Sequence, residues 1–169
     1  MKKFLTSMLL IFAIVFAGLS FGCDHAKAIK TVRTAQNKAA ETLGYIKNIA
    51  KANNDAFEAG DISTSIHKPV NDAAAKALQA VNAFIVAVNA AKAAVAGGAD
   101  PNGQVDLLKT LFNQQTAKAV LSLVALVATV PAGLAAKIGS WVISLQAAIE
   151  AFRVLFAELQ REVNSNATA

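Results

Sequence analysis

The chain has 169 residues, enough for one domain with a single sizeable core, and 55% of them are apolar, much of that share alanine. Three prolines and nine glycines leave long uninterrupted stretches, which favours helices of several turns over short strands. Sixteen basic residues stand against eleven acidic ones and are scattered singly, with no basic stripe interleaved with aromatics, so the composition excludes a nucleic-acid-binding surface.

Lys2 and Lys3 form a positive start, Phe4 to Leu19 form an uncharged apolar run, and Ser20, Gly22 and Cys23 supply small residues at its exit. This order predicts a signal peptide over residues 1–22, whose removal would lower the +5 net charge by two. The apolar run measures about 24 Å as a helix, slightly short for a dedicated span, so an uncleaved anchor is the weaker reading. Cys23 is the single cysteine and cannot form an internal disulfide.

The stretch "LSFGC" resembles the lipobox of bacterial lipoproteins, with Gly22 in the position before the cysteine; Ser20 stands where that pattern prefers a leucine-like residue and Phe21 where it prefers a small one. The resemblance implies that Cys23 becomes the first mature residue and carries the lipid, which would anchor the protein at the bacterial cell envelope with its body facing the periplasm or exterior. Ordinary cleavage after Gly22, with Cys23 left as a free thiol, is the alternative. Acyl chains contribute about 0.8 kcal/mol per buried methylene, so two or more chains hold a protein to a membrane durably. Asp24 resembles the retention signal for the inner membrane in enteric lipoproteins.

The remainder predicts an all-α antiparallel four-helix bundle over residues 23–165, with helices at about 26–58, 66–96, 101–130 and 132–163 and a polar tail at 166–169. In the first helix the seam Ile29, Val32, Gln36, Ala39, Leu43, Ile46, Ala50, Asn53, Phe57 advances by alternating steps of three and four. The amides Gln36 and Asn53 interrupt it and are expected to be exposed or partly satisfied, in preference to a register-setting polar pair. Gly60-Asp61 and the cluster Ser63, Thr64, Ser65 break the chain and offer an N-cap. Pro69 is expected in the first turn of the second helix, where its missing donor costs nothing. That helix carries the seam Val70, Ala74, Ala77, Val81, Phe84, Val88, Ala91, Val95.

Gly97 to Gly103 form the clearest turn. Asp100, Asn102, Gln104 and Asp106 alternate as calcium ligands might, but Leu111 occupies the twelfth place, where a bidentate acid is required, so no calcium loop is predicted. The third helix carries Val105, Leu108 and Phe112 and then turns apolar on every side from Ala119. The fourth has Leu134, Ile138, Trp141, Leu145, Ala148, Phe152, Leu155 and Leu159, widened by Val142, Ile149 and Phe156.

Between Lys118 and Lys137 no residue is charged, although Pro131 and Gly133 mark a turn there. As a hairpin each arm reaches roughly 15 Å, half a bilayer, so the segment cannot span as two helices. Two readings follow for this apolar tip of Val127, Val130, Pro131 and Leu134. Either it is the densest layer of the core, packed under the turn between helices one and two, or it inserts into a membrane and perturbs it.

The chain has two histidines, His25 and His67, and one tyrosine, Tyr45. No zinc-binding helix, phosphate-cradling loop or nucleophile elbow occurs, so no enzyme, cofactor, metal or small-molecule substrate is predicted. Asp61 and Asp72 bracket His67, which is expected to be solvated in a polar turn. The expected partners are a membrane, through the lipid, and a protein or a second copy of the chain.

Overall fold

A computed structural model describes residues 23–166, with side chains described over 34–100 and 103–161. The expected signal peptide at residues 1–22, the side chain of Cys23 and residues 167–169 lie outside the described residues. Four helical rods pack together around one apolar core. They comprise α1 (Cys23–Glu58), α2 (Thr64–Ala96), a third rod of α3 (Pro101–Leu111), a π-helical segment (Phe112–Ala117) and α4 (Lys118–Val127), and α5 (Ala132–Asn166).

Each rod packs against its neighbours in the chain, and α1 packs on α5 to close the ring. Gln36 in the first half of α1 meets Asn89 late in α2, while Asn53 near the end of α1 meets Asn71 early in α2, so adjacent helices run antiparallel. The turn at 59–63 and the turn at 128–131 therefore share one end of the bundle.

The breaks follow from local chemistry. Gly60 and Gly98 hold φ of +79° and +94°, the left-handed conformation that glycine adopts without a Cβ clash. Beside them, Asp61 N donates to Ala56 O at 2.9 Å and Ala99 N donates to Ala94 O at 2.9 Å, which satisfies carbonyls at the two helix ends. The third rod starts on Asp100, whose Oδ2 accepts from Gly103 N at 2.9 Å. That bond makes the aspartate an N-cap. Pro69 falls in the second turn of α2, later than expected, because the helix starts at Thr64 after Ser63.

The seams of α2 and α5 lie where the sequence puts them, with Val70, Ala74, Ala77, Val81, Phe84, Val88 and Ala91 buried on α2 and Leu134, Ile138, Leu145, Phe152, Leu155 and Leu159 buried on α5. Val95 and Trp141 are only half-buried. The seam of α1 is turned by one position at alternate steps. Ala35, Thr42, Ile49 and Ala56 are buried in place of Gln36, Leu43, Ala50 and Phe57, while Ala39, Ile46 and Asn53 hold their places. Small residues on both sides of the stripe made the two settings nearly equal in apolar content.

The third rod holds the largest departure. Its buried positions run Val105, Leu108, Phe112, Thr116, Val120, Leu123, Val127, Val130, with three successive steps of four. A straight helix following those steps would rotate its stripe away from the core. The π segment at Phe112–Ala117 accommodates one extra residue as a wide turn, so both halves keep their apolar side inward. The third rod also ends at Val127, short of the expected 130.

Phe112 stands where the wide turn begins and joins Phe84, Phe152 and Phe156 in a four-ring layer, with centroids of Phe112 and Phe152 4.8 Å apart and of Phe84 and Phe112 5.5 Å apart. Edge-on and tilted pairs of this kind contribute about 0.5–1.5 kcal/mol each beyond their buried area. Beside this layer, between Thr42, Phe112, Thr116 and Ala148, lies an apolar void of about 10 Å³, room for about one water-sized sphere. Such a void cannot serve as a slot for a lipid or drug-sized ligand.

Deleting Gln114, an exposed residue of the π segment, restores alternating steps of three and four along the whole rod. The deletion variant is expected to keep its helical content and to unfold in urea within about 1 kcal/mol of the parent, or above it. Inserting one alanine after Val105 instead turns the downstream stripe by about 100° and is expected to abolish cooperative unfolding.

Candidate functional site

The densest polar constellation among the described residues lies near the shared end of α1 and α2. Asn53 occupies a seam position of α1 and is fully buried at 0% exposure. Its Nδ2 donates to His67 O at 3.0 Å and to Asn71 Oδ1 at 3.1 Å on α2 and lies 3.2 Å from His67 Nδ1, which accepts only in the tautomer protonated at Nε2. The Oδ1 atom of Asn53 is buried without a hydrogen-bond partner.

His67 and Asn71 stand four residues apart on α2, on one face of the helix, which is why both meet the same amide. The imidazole stacks on the ring of Phe57, with centroids 4.1 Å apart and planes at 14°. Its Nε2 lies 3.3 Å from Asn71 Nδ2, and that amide also donates to Asn54 Oδ1 at 2.6 Å. A neutral imidazole accepts at one nitrogen only, so the tautomer decides whether Asn53 or Asn71 donates to the ring. The expectation of a solvated His67 is therefore corrected: the ring is half-buried, clamped between a phenyl face and two amides. Lys51 with Asp55 and Lys68 with Asp72 flank the cluster as exposed ion pairs within each helix. The hydrogen bond from Lys68 lowers the pKa of the Asp72 carboxyl below its usual value.

Of the two seam amides, Gln36 is half-buried and donates from Nε2 to Asn89 Oδ1 at 2.5 Å, in line with a partly satisfied position, whereas Asn53 departs from the expectation in being wholly inside. Both bonds cross from α1 to α2, one towards each end of the pair. The groups touching His67 are amides and a hydrocarbon ring, none of which exchanges protons near neutrality. Such a cluster fixes one helix against another.

The four tip residues separate. Val127, Val130 and Leu134 are buried at 4%, 9% and 3% exposure, whereas Pro131 is exposed. Thr129 Oγ1 donates to Leu126 O at 2.7 Å, and Pro131 O accepts from the backbone N of Leu134 and Ala135 at 3.0 and 2.9 Å. What faces outward at 128–133 is small: Ala128, Thr129, Pro131, Ala132 and Gly133. Ile62, in the turn between α1 and α2, is buried in the same core cluster as Val130 and Leu134.

No group of three or more histidine, cysteine, aspartate or glutamate side chains that could hold a metal occurs among the described residues. One described helix, α2, is long and apolar enough to cross a membrane by length and composition. Its inward side is the seam described above.

Replacing Asn53 tests the cluster. Asn53→Ala is expected to lower stability by about 2 kcal/mol, measured by urea unfolding, because Asn71 and the carbonyl of His67 lose a donor inside the protein. Asn53→Asp, nearly identical in shape, is expected to lower it further at pH 8, since a carboxylate turns acceptors toward acceptors. No loss from Asn53→Asp, which keeps the shape but not the donor, would show that shape, not donation, matters there.

Comparison of the chain with models of protein families, with curated protein sequences and with solved structures finds no match in any of the three.

Proposed function

We propose that this protein is an exported, lipid-anchored helical bundle with a non-enzymatic, interaction or structural role at the bacterial cell envelope. The observation that carries this reading is the order of residues 2–23: two lysines, an uncharged apolar run, a small-residue exit and the single cysteine at its end. A diacylglyceryl group on Cys23 would then hold the bundle by one end, with the turns at 59–63 and 128–131 at the far end, roughly 50 Å away at 1.5 Å per residue.

The competing reading, insertion of the hairpin around Pro131, requires Val127, Val130 and Leu134 to leave the core. Exposing three such side chains costs about 1.5–3 kcal/mol each unless lipid replaces the lost contacts. The anchor reading makes no such demand.

Radiolabelled palmitate is expected to enter the wild-type protein and not Cys23→Ala, and the variant is expected to leave the membrane fraction. Absence of label, or unchanged membrane association of Cys23→Ala, overturns the anchor. Leakage of dye from liposomes tests the competing reading. Thr129→Asp, a change at an exposed tip position that spares the core, should suppress leakage if the tip inserts; no leakage from the wild-type protein removes that reading.

A further inference from the structure

The outer faces of the helices differ. That of α1 carries Asn37, Glu41, Lys51, Asp55 and Glu58, an ordinary solvated stripe. The outer face of α5 carries Ser140, Ile143, Ala147, Glu150, Val154 and Ala157, all exposed, at alternating steps of three and four. This is a second seam on a helix whose first seam is already buried in the bundle. Ile143 is 68% and Val154 58% exposed, two of the largest apolar exposures among the described residues. Two large aliphatic side chains at seam spacing on one outward face are the pattern of a helix that packs on another helix.

We propose that α5 pairs, antiparallel and about a two-fold axis between Ala147 and Glu150, with α5 of a second copy of this chain. The charges beside the seam select that occupant and that direction. With Ile143 opposite Val154 of the second copy, Ser140 falls opposite Ala157 and Ala147 opposite Glu150. On the flank toward α1, Lys137 then meets Glu158 of the second copy, and the symmetry repeats the pair at the other end of the interface. On the opposite flank Gln146 meets Arg153. Both Lys137 and Glu158 are exposed and are absent from the ion pairs among the described residues. Glu150 enters the seam facing the small side chain of Ala147, with its charge already held by Arg153 one turn along the same helix. A parallel pair would set Glu150 against Glu150 and leave Lys137 facing no acid. The pairing does not rest on the anchoring reading: it sets the two Cys23 ends at opposite ends of the pair, so it forms between copies on facing membranes or free of a bilayer, and not between two copies anchored side by side in one.

Zero-length carbodiimide coupling of the purified full chain in detergent solution, where an anchor imposes no common plane on two copies, tests the register. The wild-type protein is expected to give a covalent dimer carrying a Lys137–Glu158 linked peptide. Those residues lie about 31 Å apart along one helix, so the link can only form between copies. Lys137→Glu and Glu158→Lys should each lose the dimer, and the double variant K137E/E158K should regain it. Ile143→Asp should lose it while leaving the circular dichroism spectrum unchanged, because Ile143 contributes nothing to the bundle's own core. A wild-type protein that gives monomer only, a dimer that survives Lys137→Glu, or a double variant that fails to regain it overturns the proposal. Palmitate labelling of Cys23 is read separately, so failure of the pairing leaves the anchoring reading where it stood.

Discussion

The setting of α1 against α2 is the contact on which the rest of the bundle depends. Its seam is built largely from alanine: Ala35, Ala39 and Ala56 on α1, with Ala73, Ala74, Ala77 and Ala91 on α2. Small side chains let two backbones approach closely, but each buries little area and none is shaped to one socket. Contacts of alanine on alanine therefore discriminate weakly between registers. Direction and register have to come from elsewhere, and two polar bonds supply them. Gln36 to Asn89 and Asn53 to the His67–Asn71 pair are satisfied together in one alignment only. A slide that breaks the Asn53 bonds leaves a buried amide without its partners, and that penalty, more than the half-exposed Gln36–Asn89 bond, holds the register.

Affinity of the rods for one another is concentrated away from that interface, in the layer of Phe84, Phe112, Phe152 and Phe156. The bundle thus divides its tasks. Large rings from α2, the third rod and α5 bury most area per residue, while α1 contributes no aromatic side chain to the buried core among the described residues and is located by hydrogen bonds. The wide turn at Phe112–Ala117 belongs to the same arrangement: it lets Phe112 face the rings and Val120, Leu123 and Val127 face inward further along the rod.

The all-α class, the number of rods and the seams of α2 and α5 are legible in the sequence because valine, leucine and phenylalanine at seam positions alternate with polar or small residues outside. On α1 the same reasoning sets alternate positions one residue off, since hydropathy ranks Phe57 and Leu43 above Ala56 and Thr42. Phe57 instead covers the imidazole of His67 from outside the core. The wide turn is invisible to periodicity beyond Ala119, where apolar residues stand on every side of the helix. Three steps of four from Leu108 to Val120 were the trace it left. The amide–histidine cluster had a signal too, in the four-residue spacing of His67 and Asn71 on a face opposite a seam asparagine, but polar residues beside a turn resemble solvent-facing ones until the partner helix is in place. At the tip, the missing charges are explained by the sizes of what remains outside, since an uncharged turn of alanine, threonine, proline and glycine exposes little hydrocarbon.

Three sides of the ring are formed by rods that follow one another in the chain, and the fourth, α1 on α5, joins segments separated by the whole middle of the protein. Loop-closure entropy rises with the length enclosed, so hairpins of successive rods assemble early and the α1–α5 side closes last. That last side is also among the most extensively packed ones, so the contact that comes latest is the clasp that holds the rods in place once it has formed.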